Sequence, residues 1–362
     1  MLGKIHHYLI EKRKVVDAFY KCNHYLASGI YIFDDSVKYI VKLDPGIKEK
    51  ASRILQKNEY KKRSTRWLVF ILKQIIFKQA KFTLWNDSSD KEFSGNVFLP
   101  VGSTNGYKDK KIFDLVNNKV LTVFFDRKEY QSTLNNYEYF KDYFPMPPII
   151  FRDDKKFITI EELFYFHPVN DWKEEDLSLV MGDIFNHYLQ YLNDCEIMGN
   201  YYYAKSTIDL IKELPTSEEI LFIQNQIDSG LFETEFPTLK LHGDLWAANT
   251  LLIKDEKNQV LYIDWEFSKE LIFFYDFFNM MWLDVYMKNR FFIFNEYVNG
   301  IYDQYFKSVF SLFNLTYDSK HRMDYFHLFF LYFYKERLVH FTESEKKAYF
   351  LQYKRLVETV ER

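Results

Sequence analysis

Along this chain the spacing of apolar residues changes once, from short runs broken by turns to a helical period. Between Gly95 and Phe125 short apolar runs are separated by Gly102-Ser103-Thr104-Asn105-Gly106 and by Asn117-Asn118. Runs of that length bounded by turn formers predict a small antiparallel sheet, and Lys155 to Leu163 reads as a further strand leading out of it. Further on, Leu177, Val180, Met181, Ile184, Phe185, Tyr188, Leu189 and Leu192 predict an amphipathic helix over 176–193 with one face in a core. Phe291 to Phe313 and Asp324 to His340 are dense in Phe and Tyr and read as helices of a bundle over 280–362, with charges gathered at Lys335, Glu336 and Arg337. One stretch between them breaks the helical pattern. Asn249 to Ile253 and Val260 to Ile263 are apolar and are joined by the charged segment Lys254 to Asn258, the signature of a hairpin.

Composition sharpens this to a folded chain with a reducing-compartment character. Of 362 residues 48% are hydrophobic and only 11 are Gly and 8 Pro, which excludes a disordered chain. Cys22 and Cys195 stand far apart without metal-ligand spacing, so they read as buried thiols and not as a disulfide or zinc site. His187 has no second ligand at metal spacing and reads as a satisfied or surface histidine. No apolar run reaches the ~18 residues of a membrane span, no fixed-period repeat is present, and the opening MLGKIHHYLIEKRK turns charged too early for a signal peptide. A cytoplasmic protein is expected.

Charge is uneven. Residues 1–82 hold 18 Lys plus Arg against 7 Asp plus Glu, in a chain whose net charge is -3. Such asymmetry fits an anionic partner, a membrane surface or a polymer. The segment Arg66 to Lys78, apolar with basic flanks, reads as a helix that either lies on an anionic membrane or packs into the protein. No recognised nucleic-acid module accompanies the charge, which disfavours nucleic acid.

Candidate chemistry concentrates in Leu241 to Asn279. Asp244 and Asn249 precede the first hairpin strand, and Asp264 directly follows the second. Pairing of the strands can bring Asp264 beside Asn249, giving a hard cation an amide oxygen and a carboxylate, the sparse oxygen set that Mg²⁺ completes with phosphates and water. Asp244 is then left to accept a proton from a hydroxyl, and base and metal ligands are separate, as phosphoryl transfer requires.

His242-Gly243-Asp244-Leu245-Trp246-Ala247-Ala248-Asn249 resembles the H-G-D-x-x-x-x-N loop of the aminoglycoside phosphotransferase and choline kinase superfamily. Ile263-Asp264-Trp265-Glu266-Phe267-Ser268 resembles its metal-binding segment, and Tyr275-Asp276 with Asn279 resembles the run that follows in choline and ethanolamine kinases. The resemblance covers about Phe93 to Trp282. It implies an α+β, protein-kinase-like two-lobed fold: a helical N-terminal extension over 1–92, an N-lobe with a small antiparallel sheet over 93–162, and a helical C-lobe over 163–362. It implies ATP and Mg as cofactors and a small-molecule acceptor: an amino alcohol such as choline or ethanolamine, or a sugar or aminosugar. In that scheme Asp244 is the base, Asn249 and Asp264 hold metal and nucleotide, His242 braces the loop, and Asp276 braces His242 or the loop backbone. Gly102 and Ser103 suit a turn over the ATP phosphates, and Lys155 to Leu163 corresponds to the hinge that binds adenine.

One departure stands out. Thr122 falls where the family has a strand lysine for the phosphates, and Thr133 where it has the partner glutamate. Loss of both leaves no unpaired charge; either Lys111 or Lys128 supplies a cation from another direction or none does, and Lys119 points to the opposite strand face. For the acceptor, Trp246, Trp265, Trp282 and Tyr286 are candidates for an aromatic wall that holds a cation, with Glu266 beside them; in a chain that is 20% aromatic the same residues read first as core packing. Three functions follow: an active small-molecule kinase, a non-catalytic nucleotide- or partner-binding descendant favoured by Thr122 and Thr133, and a membrane-docking protein centred on residues 1–82.

Overall fold

The computed structural model describes residues 2–34, 39–55, 81–85, 93–103, 106–203, 207–215, 217–255 and 257–360. The expected helix from Arg66 to Lys78 lies outside them. The chain forms two compact units, Met1–Asn135 with Met146–Pro168, and Asn136–Pro145 with Val169–Arg362.

In the first unit the order is α1 (Leu2–Lys21), β1 (Gly29–Phe33), β2 (Ile40–Lys42), α2 (Pro45–Ile54), β3 (Lys81–Leu84), β4 (Val97–Ser103), β5 (Gly106–Asp114), β6 (Lys119–Val123), α3 (Arg127–Phe140), β7 (Ile149–Asp153) and β8 (Ile158–Glu162), with the unit boundary falling inside α3. All eight strands make one antiparallel sheet in the order β3-β1-β2-β4-β5-β6-β8-β7. The sheet expected from Gly95 onward is therefore present as β4 to β6. It is wider than expected, because residues 1–92 contribute three strands as well as helices. Strands as short as Gly29-Ile30-Tyr31-Ile32-Phe33 carry too few alternations to be read by period alone.

Alternation assigns the two sheet faces. Phe98, Ile112, Leu121 and Ile160 pack with Val15 and Phe19 of α1. Val97, Phe113 and Val120 pack with Ile47, Ala51 and Ile54 of α2. Asp44 caps α2, its carboxylate accepting from the Ile47 N–H at 3.0 Å. Beyond β6, Phe124 meets Tyr130 and Leu134 of α3.

The second unit continues with α4 (Glu174–Met198), β9 (Tyr202–Tyr203), α5 (Thr207–Glu213), α6 (Glu218–Gln224), β10 (Pro237–Leu241), β11 (Thr250–Ile253), β12 (Gln259–Tyr262), β13 (Lys269–Ile272), α7 (Tyr275–Lys288), α8 (Phe292–Val298), α9 (Asp303–Leu312), α10 (Arg322–Glu336) and α11 (Glu343–Val360). Its core is aromatic. Every residue of α10 from Tyr325 to Tyr334 and every residue of α7 from Tyr275 to Val285 is buried, the mark of helices apolar all round. The single helix read over 291–313 is two, α8 and α9. They part near Gly300, whose φ of +81° suits glycine and where a Cβ would come within 2.6 Å of the Arg322 guanidinium.

Both cysteines are buried and free. His187 bonds Asp183 through its carbonyl and its carboxylate, at 3.0 and 3.1 Å, as a satisfied histidine should. No described helix is long and apolar enough to cross a membrane.

Candidate active site

The second unit holds a loop from His242 to Asn249 between β10 and β11, and three elements fix it. β10 is almost wholly buried and pairs with β13, Leu241 opposite Lys269, so the loop starts from a rigid edge. At its end β11 pairs with β12, Thr250 opposite Tyr262. The Ile263 N–H donates to the Asn249 carbonyl at 3.1 Å, which carries the pairing one step further. Asp264 therefore follows immediately on the residue bonded to Asn249. Its backbone is left-handed, φ 61° and ψ 51°, a conformation that Asp tolerates better than most residues, and its side chain is exposed.

The third element is the first turn of α7. Asp276, fully buried, accepts from the His242 N–H at 2.8 Å, the Gly243 N–H at 3.0 Å and the Tyr188 hydroxyl at 2.6 Å. Of the two partners the sequence allowed it, the structure has the loop backbone. Burial pushes the Asp276 carboxyl up to about 6 against the pull of these three donors. One turn on, the Asn279 amide donates to the Leu245 carbonyl at 2.9 Å. Gly243 has φ +76°, and a Cβ on it would sit 2.4 Å from the Phe267 carbonyl oxygen, so only glycine fits.

His242 is fully buried and its ring tautomer follows from its partners. Nε2 donates to the Ile263 carbonyl at 2.9 Å, and Nδ1 accepts from the Asp244 N–H at 3.3 Å. It is a neutral imidazole, held by burial down to about 4. It ties the start of the loop to the residue before Asp264.

Asp244 is the half-buried member. One carboxylate oxygen, Oδ1, pairs with Arg337 Nη2 at 2.6 Å, and the other, Oδ2, accepts from Asn249 Nδ2 at 3.2 Å. The same Asn249 amide nitrogen donates to the Asp244 carbonyl at 2.8 Å, which commits the amide's N end to the loop and leaves its oxygen as the end suited to a hard cation. Burial raises the Asp244 carboxyl, with Arg337 and Asn249 opposing it. The donor set of Asn249 and Asp264, one amide and one carboxylate oxygen, fits Mg²⁺, and nitrogen or sulfur ligands play no part in it.

Arg337 is the residue that sequence reasoning missed. It follows α10, and Nη2 also donates to the Gly243 carbonyl at 3.0 Å, while the guanidinium lies 5.6 Å from the centre of the Phe267 ring. Three consecutive charges at the end of an aromatic helix were the available signal. Lys335 and Glu336 are paired to Glu213 and Lys269, at 2.7 and 2.6 Å. Tyr188 too was read only as core.

The aromatic wall needs correction. Trp282 is fully buried against Phe330 and Phe333, and Trp265 is buried and stacked on Phe140 at 4.2 Å. Both take the core role, because helices and turns this deep in an aromatic core have no free ring face. Tyr286 stacks on Tyr349 at 3.8 Å; Trp246 is half-buried and Glu266 exposed.

The first unit carries the remaining residues. Gly102 and Ser103 end β4, where the register with β5 shifts after Val101, and the tip 104–105 lies outside the described residues. Thr122 is buried in β6, opposite Lys111 on one side and Thr159 on the other. Residues paired across strands share a face, so Lys111 stands on the Thr122 face. Lys128 is exposed on α3, and the Thr133 hydroxyl on the same helix is buried without a partner among the described residues.

No protein-family model and no curated protein sequence matches the chain. Solved structures to which it is similar include a thermostable mutant of aminoglycoside phosphotransferase APH(4)-Ia in a ternary complex with ADP and hygromycin B, with 12% identity over 73% of this chain and 94% of that one and a TM-score of 0.47. Choline kinase LicA from Streptococcus pneumoniae is 14% identical over 73% and 93%, with a TM-score of 0.39. Amicoumacin kinase hAmiN, in complex with AMP-PNP, Ca²⁺ and amicoumacin, is 9% identical over 72% and 88%, also at 0.39. At this extent of likeness the site assignments rest on the geometry of the chain itself.

Proposed function

We propose that the protein is an ATP-dependent phosphotransferase acting on a hydroxyl of a small molecule. The observation that carries this reading is the oxygen-only pair Asn249 and Asp264, brought together by the β11–β12 pairing, beside an Asp244 that Arg337 and the Asn249 amide nitrogen anchor. A bound Mg²⁺ would supply charge neutralisation for the transferred phosphoryl group. Asp244 orients the acceptor hydroxyl and takes its proton. His242, Asp276 and Asn279 hold the loop, so the base is fixed before substrate arrives, and positioning of this kind is most of what phosphoryl transfer asks of a protein. With Thr122 at the strand-lysine place, Lys111 on the same sheet face is the residue for the nucleotide phosphates, and Gly102 and Ser103 are the turn over them. The sequence allows an amino alcohol, a sugar or an aminosugar as acceptor.

A second reading, a nucleotide binder without turnover, is favoured by Thr122 and Thr133. Thermal unfolding with and without Mg·ATP tests both, since a ligand that binds only the native state raises its stability. No stabilisation sinks both readings. Stabilisation with ATP consumption that depends on an added hydroxyl acceptor supports the kinase; stabilisation without it leaves the binder.

A further inference from the structure

We infer that Arg337 is an acceptor-specificity residue: it takes an oxyanion, a carboxylate or phosphate carried by the acceptor near the hydroxyl that is phosphorylated. This rests on the phosphotransferase reading and moves its acceptor from the amino alcohols to hydroxyl compounds that carry an acid group. The two oxygens of Asp244 face different neighbours. Oδ2 meets Asn249, the amide whose own oxygen is the metal ligand, so the nucleotide side of the base is the Oδ2 side. Oδ1 meets Arg337, on the side left for the acceptor.

The guanidinium is only partly used there. Nη2 serves Asp244 and the Gly243 carbonyl, while Nη1 and Nε have no hydrogen-bond partner among the described residues. Asp244 is its one carboxylate partner among them, because neighbouring Glu336 is taken by Lys269. Arg337 keeps 22% of its side chain exposed, and Phe267, over which it lies, keeps 53%. Nearby, the Tyr275 hydroxyl is fully buried without a partner among the described residues, and Arg337 and Asp244 are among the charges acting on it. A guanidinium with unused N–H groups beside the base attracts an anion through charge-assisted hydrogen bonds and repels a quaternary ammonium. Of the four rings considered for such a cation, Trp265 and Trp282 are in the core, and Trp246 and Tyr286 are half-buried.

The balanced step is a displacement. The acceptor oxygen forms a bond to the γ-phosphorus, the bond from that phosphorus to the β,γ-bridging oxygen breaks, ADP leaves with the electron pair, and the hydroxyl proton goes to Asp244. Arg337 stays charged throughout and holds the acceptor's oxyanion.

The test uses the full chain, Arg337→Met and the charge-keeping Arg337→Lys, with Mg·ATP and five acceptors: D-glycerate (carboxylate), glycerol 3-phosphate (phosphate), glucose, ethanolamine and choline. The wild type is expected to show a higher kcat/KM for one of the two anions than for the amines, and which anion it is identifies the source of the oxyanion. Arg337→Met also removes the ion-pair partner of Asp244 and so lowers kcat for every acceptor. Beyond that common loss, kcat/KM for that anion should fall by a further factor of about 10 to 100 relative to the amines, chiefly through KM, with Arg337→Lys in between. Preference for choline or ethanolamine in the wild type, or an equal loss for all acceptors in Arg337→Met, overturns the proposal. So does a chain that Mg·AMP-PNP stabilises but that neither anion stabilises further. A chain that Mg·ATP does not stabilise fails earlier, at the kinase reading itself.

Discussion

The loop from His242 to Asn249 ties its buried polar side chains to named partners, whereas the sheet satisfies Asp109 and Asp114 but not the threonine paired with Thr122. His242 and Asn249 bond loop and strand, and Asp276 satisfies two loop amides and a tyrosine. Beside Thr122, the Thr159 hydroxyl is buried without a partner among the described residues. The first region is preorganised by these hydrogen bonds, which hold Asp244 and Asn249. The second has a threonine, which needs no counter-charge, at the place proposed for a phosphate-binding cation. On the proposed reading chemistry and phosphate binding are separable, and substitutions in the two regions should fail in different ways.

The largest effect belongs to the base. Asp244→Asn has a single acceptor oxygen and keeps only one of the contacts to Arg337 and Asn249, so it should lower kcat by about 10²- to 10⁴-fold with only a small loss of melting temperature. Steady-state kinetics beside a thermal melt check this, and a melting temperature that falls steeply with the rate would move Asp244 to a structural role.

Stability contrasts the regions next. Asp276→Ala strands three buried donors and should cost about 3–5 kcal/mol in urea unfolding. Thr159→Val, which removes an unpartnered hydroxyl at constant volume, should be neutral or stabilising by up to about 1 kcal/mol. Equal losses in the two would remove the contrast.

Acid titration separates two neighbours of opposite sign. His242, depressed to about 4, contributes stability that is full above 6.5 and is lost as pH falls from 6.5 through 4. Asp276, raised to about 6, contributes stability present below 3.8 and lost as pH rises through 6. In the native protein the two oppose each other between pH 4 and 6. Asp276→Asn, which removes the second, should therefore lose stability on acidification more steeply than the wild type. Urea melts across that range would show parallel curves if the pair did not act this way.

The smallest expected effect is at Lys111. Lys111→Met should raise KM for ATP about tenfold with kcat little changed, the signature of lost ground-state binding. An unchanged KM would mean that no cation replaces the strand lysine on this face.

Much of the second unit was legible in the sequence because its signals are local. The hairpin strands 249–253 and 260–263 were read to within a residue of β11 and β12, since turn and strands lie within fifteen residues. The helix over 176–193 lies inside α4 for the same reason. What escaped is what depends on distant pairing. Arg337 meets Asp244 across 93 positions, and nothing in Lys335-Glu336-Arg337 marks which of three charges turns inward. Trp282 takes the core place that its aromatic surroundings favour, while the sequence leaves a ligand wall open because an aromatic side chain reads the same whether it faces a cleft or a core. Strands β1 to β3 were hidden by their brevity.

On the proposed function Asn249 and Asp264 together hold the metal of the nucleotide. Electron paramagnetic resonance of Mn²⁺ titrated into the protein with AMP-PNP measures this directly, Mn²⁺ standing in for Mg²⁺. The expected result is ternary binding in the wild type that Asp264→Ala and Asn249→Leu each weaken at least tenfold, with the fold intact by circular dichroism. Equal Mn²⁺ affinity in wild type and Asp264→Ala would contradict the account.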